Sequence, residues 1–315
     1  MSFSVTILGS NSALPTEKRF PTAQALNINE KIFLIDCGEG TQIQLRKFSI
    51  RFGKINHIFI SHLHGDHYFG LLGLIFSFSL LGRKHDLHLY SHPQLEDILA
   101  CQLKHYGDDL GFRIVFNHFE ASRSETIYED KLVTVESIPM KHRIPTAGFL
   151  FREKLKDKNI RKEMIDYYHI PIRDILKIKK GADFETEDGT LIKNEILTLP
   201  PSEPCSYAFC TDTVYNVEIL DQIRNVDLLY HEATFGSDLE EQAAISFHST
   251  ARQAAFIAKQ ANVKKLIIGH FSERYKDITP LLKEARTVFP ETYSAEDGEV
   301  FFCKATATGT GNSNL

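Results

Sequence analysis

The stretch "FISHLHGDHYFGL" (residues 59–71) places four metal-ligating side chains within six positions, directly after an apolar run. His62 and His64 are two residues apart at the end of a predicted strand, so in extended backbone their side chains point the same way. The glycine that follows allows a sharp turn, after which Asp66 and His67 can face a second centre. The spacing therefore predicts one loop that supplies ligands to two neighbouring metal ions.

Imidazole and carboxylate donors together suit Zn²⁺ best, with manganese or iron as less favoured alternatives. A polar turn is the other interpretation of a histidine-rich loop, and for a single histidine it would be the better one. Four ligand-type residues in six positions at the end of an apolar strand favour the metal site. Each ion needs at least three protein ligands, so further ligands must come from distant parts of the chain.

Three further candidates share one feature, a ligand-type residue just past the end of an apolar run. His142 follows "LVTVESIPMK", Asp212 follows "SYAFCT" and His270 follows "KLIIG". The ends of strands are where α/β sheets present their chemistry. Taken singly, the histidines would be structural residues and the aspartate the start of a turn. Taken together, they supply the ligands that the first loop requires.

Two more polar clusters occur late in the chain, "HEAT" (231–234) and "FHST" (247–250). His231 and Glu232 end an apolar strand, where a structural role explains them as well as a functional one. The hydroxyl residues of the second cluster can cap the helix that follows. Capping does not explain the histidine before them, His248, which is therefore a candidate for the site.

The composition is that of an ordinary globular protein, with 315 residues of which 43% are hydrophobic and 24% charged. Five cysteines are scattered without a CxxC pair, which argues against a disulfide framework and against a zinc ribbon. The N-terminus lacks the charged and apolar regions of a signal peptide. The longest apolar stretch, at residues 70–82, is too short to span a bilayer. These features predict a soluble protein of the cytoplasm.

Short β-rich runs alternate with helical segments on both sides of a central insertion. Several short strands in each half predict two β-sheets covered by helices, a four-layer α/β arrangement. We predict one domain over residues 1–305, followed by a frayed tail over 306–315. Residues 154–200 are rich in lysine and poor in strand alternation. They predict an insertion of short helices that projects from the core.

Charge is distributed unevenly, although the whole chain has a net charge of only −5. Residues 152–180 carry ten Lys or Arg against five acidic residues, which makes this segment +5 and leaves −10 for the remainder. Such a segment fits binding to phosphates, because RNA affinity is largely counterion release. Lys177, Lys179 and Lys180 are the candidate contacts, and a solvated surface is the alternative for each of them.

These motifs together resemble the metallo-β-lactamase superfamily and, within it, the ribonuclease Z family of tRNA 3′-processing endoribonucleases in its bacterial short form. "SHLHGDH" with the later ligand candidates is typical of the superfamily, whereas "DCGEGTQ", "HEAT" and "HST" are typical of the narrower family. The resembling segments run from residue 9 to residue 275 in the family's order, so they span most of the chain. The resemblance implies an αββα fold with a two-metal site at the sheet edges.

The resemblance also assigns the ligands and implies two zinc ions per subunit. The first zinc is held by three histidines, His62, His64 and His142. The second is held by one carboxylate and two histidines, Asp66, His67 and His270. Asp212 bridges the two ions. The attacking group is then a metal-activated hydroxide, which Asp66 orients or deprotonates.

The resemblance implies that Glu232 and His248 form a hydrogen-bonded pair that donates a proton to the leaving 3′ oxygen, while His231 receives no role. A histidine polarised by a carboxylate can supply a proton near neutral pH. The implied reaction removes the 3′ trailer from precursor tRNA and leaves a 3′-hydroxyl on the tRNA and a 5′-phosphate on the trailer. The loop "PTEKR" (15–19) matches the family's loop that senses nearby nucleotides, which makes Arg19 a candidate phosphate contact.

The implied partner is precursor tRNA, and the insertion 154–200 is the arm that grips it. A homodimer is implied as well, in which one subunit's arm holds tRNA for its partner's site. The arm departs from the family, because its stretch "HIPIRDILKIKKGADF" (169–184) lacks the Gly-Pro pair of many bacterial members. A hydrolase of another phosphodiester or of a sulfate ester is the alternative function, and an RNA-binding protein with a relict site is a third. A small-molecule hydrolase would have no need of the basic segment.

Overall fold

A computed structural model describes residues 3–105 and 110–304. This part of the chain divides into two compact units. The larger contains the chain up to Glu129, Thr134–Phe151 and the chain from Cys205 onward, and the smaller contains Asp130–Val133 and Arg152–Pro204. The tail predicted at residues 306–315 lies outside the described residues.

The strands are numbered here along the chain. The strands are β1 Phe3–Gly9, β2 Ala23–Ile28, β3 Lys31–Ile35, β4 Ile55–Phe59, β5 Leu87–Ser91, β6 Ile114–His118, β7 Thr126–Glu129, β8 Val133–Pro139, β9 Ala147–Glu153, β10 Asn159–Ile160, β11 Phe184–Glu185, β12 Leu191–Ile192, β13 Thr198–Leu199, β14 Ser206–Cys210, β15 Leu228–Glu232, β16 Lys265–Gly269, β17 Thr292–Ser294 and β18 Val300–Phe302. Two seven-stranded sheets result, in the orders β18-β1-β2-β3-β4-β5-β6 and β17-β16-β15-β14-β9-β8-β7.

Both sheets are mixed, and in each the parallel part leads to the polar motifs. In the first sheet β3 to β6 run parallel, and in the second β14 to β17 do. Parallel neighbours end at the same edge of a sheet, so residues that follow β14 and β16 must lie close together. This topology is the reason that ligands distant in sequence can meet.

Helices separate these strands. They are α1 Thr41–Lys47, α2 Gly65–Tyr68, α3 Leu71–Leu80, α4 Gln94–Leu103, α5 Lys162–Tyr167, α6 Ile172–Lys179, α7 Asn194–Leu197, α8 Glu240–Ser246, α9 Ala251–Gln260 and α10 Thr279–Val288. Within the described residues, none of them is long and apolar enough to cross a membrane.

The helices cover the outer face of each sheet. Leu74 of α3 belongs to one buried apolar cluster with Ile58 of β4, and Ile257 of α9 belongs to another with Leu229 of β15. Apolar area removed from water in these clusters contributes about 25 cal/mol per Å², which is the main force that holds helix to sheet. Each sheet therefore has a helical layer of its own.

An aromatic layer fills the space between the two sheets. The rings of Phe33 and Phe151 lie 5.6 Å apart between centroids, and those of Phe59 and Phe149 lie 5.5 Å apart. Such tilted and edge-on pairs are the arrangement that aromatic rings prefer. With helices outside and aromatic packing inside, the predicted four-layer α/β arrangement is confirmed.

The smaller unit contains the whole of the predicted insertion, 154–200, and has its own core. Its apolar cluster is formed by Ile170, Ile178, Phe184, Ile192 and Leu197. The predicted short helices are present as α5 to α7. The unit also contains two two-stranded sheets, β10 with β13 and β11 with β12. Strands of two residues are too short to show alternation, so the sequence pattern could not predict them.

A disulfide joins Cys205, before β14, to Cys303, after β18. The scattered cysteines gave no indication of this pairing, because its partners are 98 residues apart in sequence. Topology explains it, since the ends of two strands from different sheets bring the Cα atoms within 6.2 Å. The expectation that the cysteines form no disulfide framework is thus corrected to a single cross-link between the sheets.

Candidate metal centre

The histidine-rich loop lies where β4 ends and the chain turns into α2. Buried apolar residues, Phe59 and Ile60, fix the strand, and His62 and His67 beyond it are fully buried. The turn approaches another loop closely, because a Cβ atom on Gly38 would lie 2.4 Å from the Asp66 carbonyl oxygen. Only glycine fits there, so the sequence "DCGEG" helps to place the ligand loop.

The first ligand cluster combines His62 and His64 of this loop with two residues that follow strands of the second sheet, His142 and Asp212. His64 Nδ1 lies 3.0 Å from His62 Nε2 and 3.2 Å from His142 Nε2. The Oδ2 atom of Asp212 lies 3.4 Å from His62 Nε2 and 3.6 Å from His142 Nε2. Four donor atoms therefore converge, close to the spacing of about 3.3 Å expected around a tetrahedral ion with bonds of about 2.0–2.1 Å.

The second cluster uses the other oxygen of the same carboxylate. Asp212 Oδ1 lies 3.4 Å from His67 Nε2 and 3.2 Å from His270 Nε2. Asp66 Oδ2 lies 3.4 and 3.5 Å from the same two ring nitrogens. One carboxylate thus faces both clusters, one oxygen to each, which is the arrangement required of a bridging ligand.

Four of the five ligand histidines have one ring nitrogen held by the protein, which leaves the other free to face the centre. The holding atoms are Ser61 Oγ for His62 at 3.0 Å, Asp36 Oδ2 for His67 at 2.7 Å, the Phe247 carbonyl for His142 at 2.9 Å and Thr234 Oγ1 for His270 at 3.0 Å. Such partners fix the ring orientation and the tautomer of metal-bound histidines.

The inward-facing nitrogens fit a metal ion. Within the described residues, Nε2 of His67 and Nε2 of His270 are buried and have no hydrogen-bond partner. A buried polar atom without a partner costs about 1–3 kcal/mol, so two of them side by side require an explanation. A bound cation would supply the missing interaction, and the nitrogen and carboxylate donors are those that Zn²⁺ accepts.

The charge states of His62 and of the two carboxylates suit the same role. Burial and the neighbouring charge of His67 lower the pKa of His62 to about 3, so that ring is neutral and can donate a lone pair. Burial alone would raise the pKa of Asp66 and of Asp212, but the histidines around them hold both well below the usual range. The carboxylates are therefore ionised, as metal ligands must be.

Strained backbone marks the same strand ends. Asp36, Asp212 and His270 have φ of 56°, 37° and 59°, in the left-handed region that disfavours residues other than glycine. Each such residue costs of order 1–3 kcal/mol and persists only where the surroundings enforce it. Three of them around one centre indicate that the fold gives up stability to orient these side chains.

Glu232 and His248 form a buried pair beside the second cluster. Glu232 Oε1 lies 2.9 Å from His248 Nδ1 and also accepts the Thr213 N–H at 2.8 Å, while its Oε2 accepts the Thr234 hydroxyl at 2.7 Å. Burial opposes protonation of His248, but the adjacent carboxylate outweighs it and raises the pKa of this histidine to about 9. The ring is thus protonated at neutral pH, with Nε2 as its free donor atom.

An open cleft of about 550 Å³ lies over the centre. Asp66, His248 and His270 line it together with Phe69 and Arg143. Phe69 is 64% exposed, which is unusual for a large apolar ring and provides a surface on which a base could stack.

Arg19, predicted as a phosphate contact, lies under the rim of this cleft with its guanidinium largely covered. Its side chain is 13% exposed, and its guanidinium carbon lies 5.5 Å from the Phe271 ring centroid. Nη1 donates to the Tyr275 carbonyl at 3.3 Å. In this structure the residue holds its own loop, and its contact with substrate stays a prediction.

The other predicted residues are not members of the ligand clusters. His231 is fully buried, and its Nδ1 lies 2.7 Å from the Glu232 carbonyl oxygen, which accounts for it structurally. Lys177, Lys179 and Lys180 belong to the smaller unit, at the end of α6. The first of them has a 74% exposed side chain, with Nζ 3.3 Å from Asp174.

Sequence reasoning missed the residues that orient the ligands. Asp36, which bonds His67, also accepts the Ser61 N–H at 2.8 Å, so one carboxylate fixes the start and the end of the ligand loop. Thr234 joins Glu232 to His270. The available signal was position, because Asp36 follows an apolar strand as the ligands do, and Thr234 completes "HEAT".

The chain resembles known proteins over nearly its whole length. Residues 3–289 match the family model described as "Anti-Pycsar protein Apyc1". "Ribonuclease Z" of Phocaeicola vulgatus is 50% identical over 295 residues, which cover 94% of this chain and 96% of that protein. "Ribonuclease Z" of Bacteroides thetaiotaomicron is 49% identical over 295 residues, covering 94% and 93%.

Solved structures give the same picture of the fold. The crystal structure of the short form of human tRNase Z has a TM-score of 0.69 at 26% identity and covers 95% of this chain and 98% of its own. Bacillus subtilis YhfI, a metallo-β-lactamase fold protein, has a TM-score of 0.66 at 19% identity and covers 96% and 100%. Two mixed sheets flanked by helices are thus the metallo-β-lactamase fold.

Proposed function

The chain belongs to the ribonuclease Z family and to the family that the Apyc1 model describes, and on that premise we propose that it removes the 3′ trailer from precursor tRNA. The observation that carries the proposal is the position of Asp212, whose two oxygens face separate ligand clusters beside the Glu232–His248 pair. A centre that can hold two metals, with a proton donor next to it, suits hydrolysis of a phosphodiester.

Family and ligand clusters make this a metal-dependent hydrolase, and we propose two zinc ions per chain. When bound, such ions lower the pKa of the attacking water and neutralise the charge of the phosphodiester oxygens. The seven residues of the two ligand clusters described above would hold them. This chain's own part is to orient the ring nitrogens, which Asp36, Ser61 and Thr234 accomplish.

Asp66 and His248 divide the proton transfers. Asp66, whose Oδ2 accepts the Ala13 N–H at 2.8 Å, orients the attacking water and accepts its proton on the carboxylate. His248 Nε2 donates a proton to the 3′ oxygen as its bond to phosphorus breaks, while Glu232 Oε1 holds Nδ1 and stabilises the charged ring. The products are a tRNA with a 3′-hydroxyl and a trailer with a 5′-phosphate, which balances both protons.

We propose further that the smaller unit is the arm that grips tRNA, and that the enzyme is a cytoplasmic homodimer. The arm proposal is supported by the cationic segment 152–180, all of which belongs to the smaller unit. The homodimer proposal follows from the resemblance given above, which implies that the arm of one subunit serves the site of the other.

Parallel assays test this function against the main alternative, hydrolysis of a small phosphodiester or a sulfate ester. The purified protein is incubated with a 3′-extended precursor tRNA and, separately, with bis(p-nitrophenyl) phosphate. We expect cleavage of the precursor to a product with a 3′-hydroxyl, and no cleavage of mature tRNA that lacks a trailer. Turnover of the small ester alone would contradict the tRNA proposal.

Charge reversal tests the arm. Changing Lys177, Lys179 and Lys180 to glutamate should weaken tRNA binding and reduce the slope of log K against log salt by about 2–3, at about 0.7–0.9 per lost phosphate contact. Binding is measured by filter retention at several salt concentrations. Reversal of three exposed lysines in the larger unit, Lys54, Lys259 and Lys283, is the matched control. Equal slopes for the two triple variants would show that the arm is not the gripping surface.

A further inference from the structure

Asp297, in the turn before β18, holds both ends of the loop that forms one rim of the cleft. This rim loop spans residues 10–20. Asp297 Oδ1 accepts the Ser10 hydroxyl at 2.8 Å, and Oδ2 accepts the Phe20 N–H at 2.8 Å. Gln44 Nε2 donates to the same Oδ2 at 3.1 Å. One carboxylate therefore clamps the start and the end of the loop.

The clamp is fixed to the frame of the fold. The Gly298 N–H donates to the Ile7 carbonyl of β1 at 2.8 Å, and the Ile7 N–H donates to the Glu299 carbonyl at 3.0 Å. Gln44 Nε2 also donates to the Leu8 carbonyl at 2.7 Å. Burial raises the pKa of Asp297 to about 6, so the chain keeps an ionised carboxylate here at an energetic cost.

Hydrogen bonds connect the rim loop to the catalytic centre. The Ala13 N–H donates to Asp66 Oδ2 at 2.8 Å, and the Ser12 N–H donates to the carbonyl of Phe271, the neighbour of His270, at 2.9 Å. Within the loop, Asn11 Nδ2 donates to the Leu14 carbonyl at 2.5 Å, which keeps the loop compact. Ala13 has a left-handed φ of 59°, which a loosened loop would not maintain.

We propose that Asp297 is a positioning residue for cleavage, which clamps the rim loop so that the Ala13 N–H holds Asp66 in the orientation that accepts the proton. The inference rests on the proposed function, because it takes Asp66 as the proton acceptor. It assigns the distant acidic turn to the reaction without any contact between Asp297 and substrate.

Three variants test the clamp. Asp297→Ala removes all three hydrogen bonds, whereas Asp297→Asn can keep them because the Ser10 hydroxyl can also accept a hydrogen bond. Glu299→Gln is a matched change in the same turn. The measurements are kcat and KM on precursor tRNA, bound metal, and amide hydrogen exchange of residues 11–19. For Asp297→Ala we expect faster exchange, full metal content, and a kcat reduced about ten- to hundredfold by misplacement of the acceptor. KM should change by less than about threefold.

The asparagine variant and Glu299→Gln should match the wild type in exchange and in kcat. Unchanged exchange in Asp297→Ala, or faster exchange with unchanged kcat, overturns the proposal, and so does loss of metal. If Asp297→Ala does not fold, Ser10→Ala removes one bond alone and should show the same changes to a smaller extent; wild-type behaviour there overturns the proposal. Failure of the wild type to cleave precursor tRNA rejects the proposed function instead, and the exchange data would still report on the clamp.

Discussion

Asp66→Ala should reduce cleavage of precursor tRNA by at least about a thousandfold while tRNA binding stays within about twofold of the wild type. The Oδ2 atom of Asp66 lies 3.4 and 3.5 Å from the ring nitrogens of His67 and His270 and accepts the Ala13 N–H. Alanine removes a ligand of the second cluster and the proposed proton acceptor at once. The first cluster keeps its four donors, so we expect metal analysis to show about one ion fewer per chain.

Single-turnover cleavage, tRNA binding and metal content are measured on the same preparation. Asp221→Ala is the control, because its carboxylate is 92% exposed and a loss there should change none of these quantities. Cleavage at the wild-type rate would contradict the assignment of Asp66. Loss of tRNA binding together with cleavage would show that the variant is misfolded or that the centre itself anchors the substrate.

His248→Ala should lower the cleavage rate by about 10²–10⁴-fold, because the leaving oxygen loses its proton donor. Glu232→Gln should lower it too, since the carboxylate that holds and charges the ring is lost. The double variant should be little slower than His248→Ala, as groups that act as a unit give non-additive losses. Additive losses would mean that the two residues act separately.

The two single variants should differ in stability. Glu232 is buried and accepts hydrogen bonds from Thr213 and Thr234, so an amide at this position places a donor against donors. Glu232→Gln should therefore lower the free energy of unfolding by about 1–3 kcal/mol. His118→Ala is the control, because His118 forms a similar pair with Glu96 at 2.8 Å on the surface. Thermal unfolding compares all three variants.

The convergence of the seven candidate ligands could be predicted, because these residues follow a simple rule of position. His142, Asp212 and His270 each come just after an apolar run, and the parallel strands β14 to β16 bring the ends before Asp212 and His270 together. The partners of the ligands follow no such rule. Asp36 reaches His67 across 31 residues through a left-handed turn, and neither the turn nor the distance leaves a pattern in sequence.

Arg19 shows the same limit for a residue that the sequence did single out. A basic residue in a loop beside the centre is a reasonable substrate contact, but its covered guanidinium depends on Phe271 and Tyr275, more than 250 residues further along the chain. The Cys205–Cys303 disulfide likewise depends on where two strands end. Sequence patterns predict what a residue can do, while its long-range contacts decide whether it is free to do it.

The candidate ligands come from both sheets, so a metal ion bound to them would be a part of the protein's folding equilibrium. His62, His64, Asp66 and His67 follow a strand of the first sheet, whereas His142, Asp212 and His270 follow strands of the second. An ion bound to both groups stabilises only the native state, by about 2.7 kcal/mol when its free concentration is a hundred times Kd. A cell short of metal would therefore hold apo-protein that is not only idle but also easier to unfold and degrade.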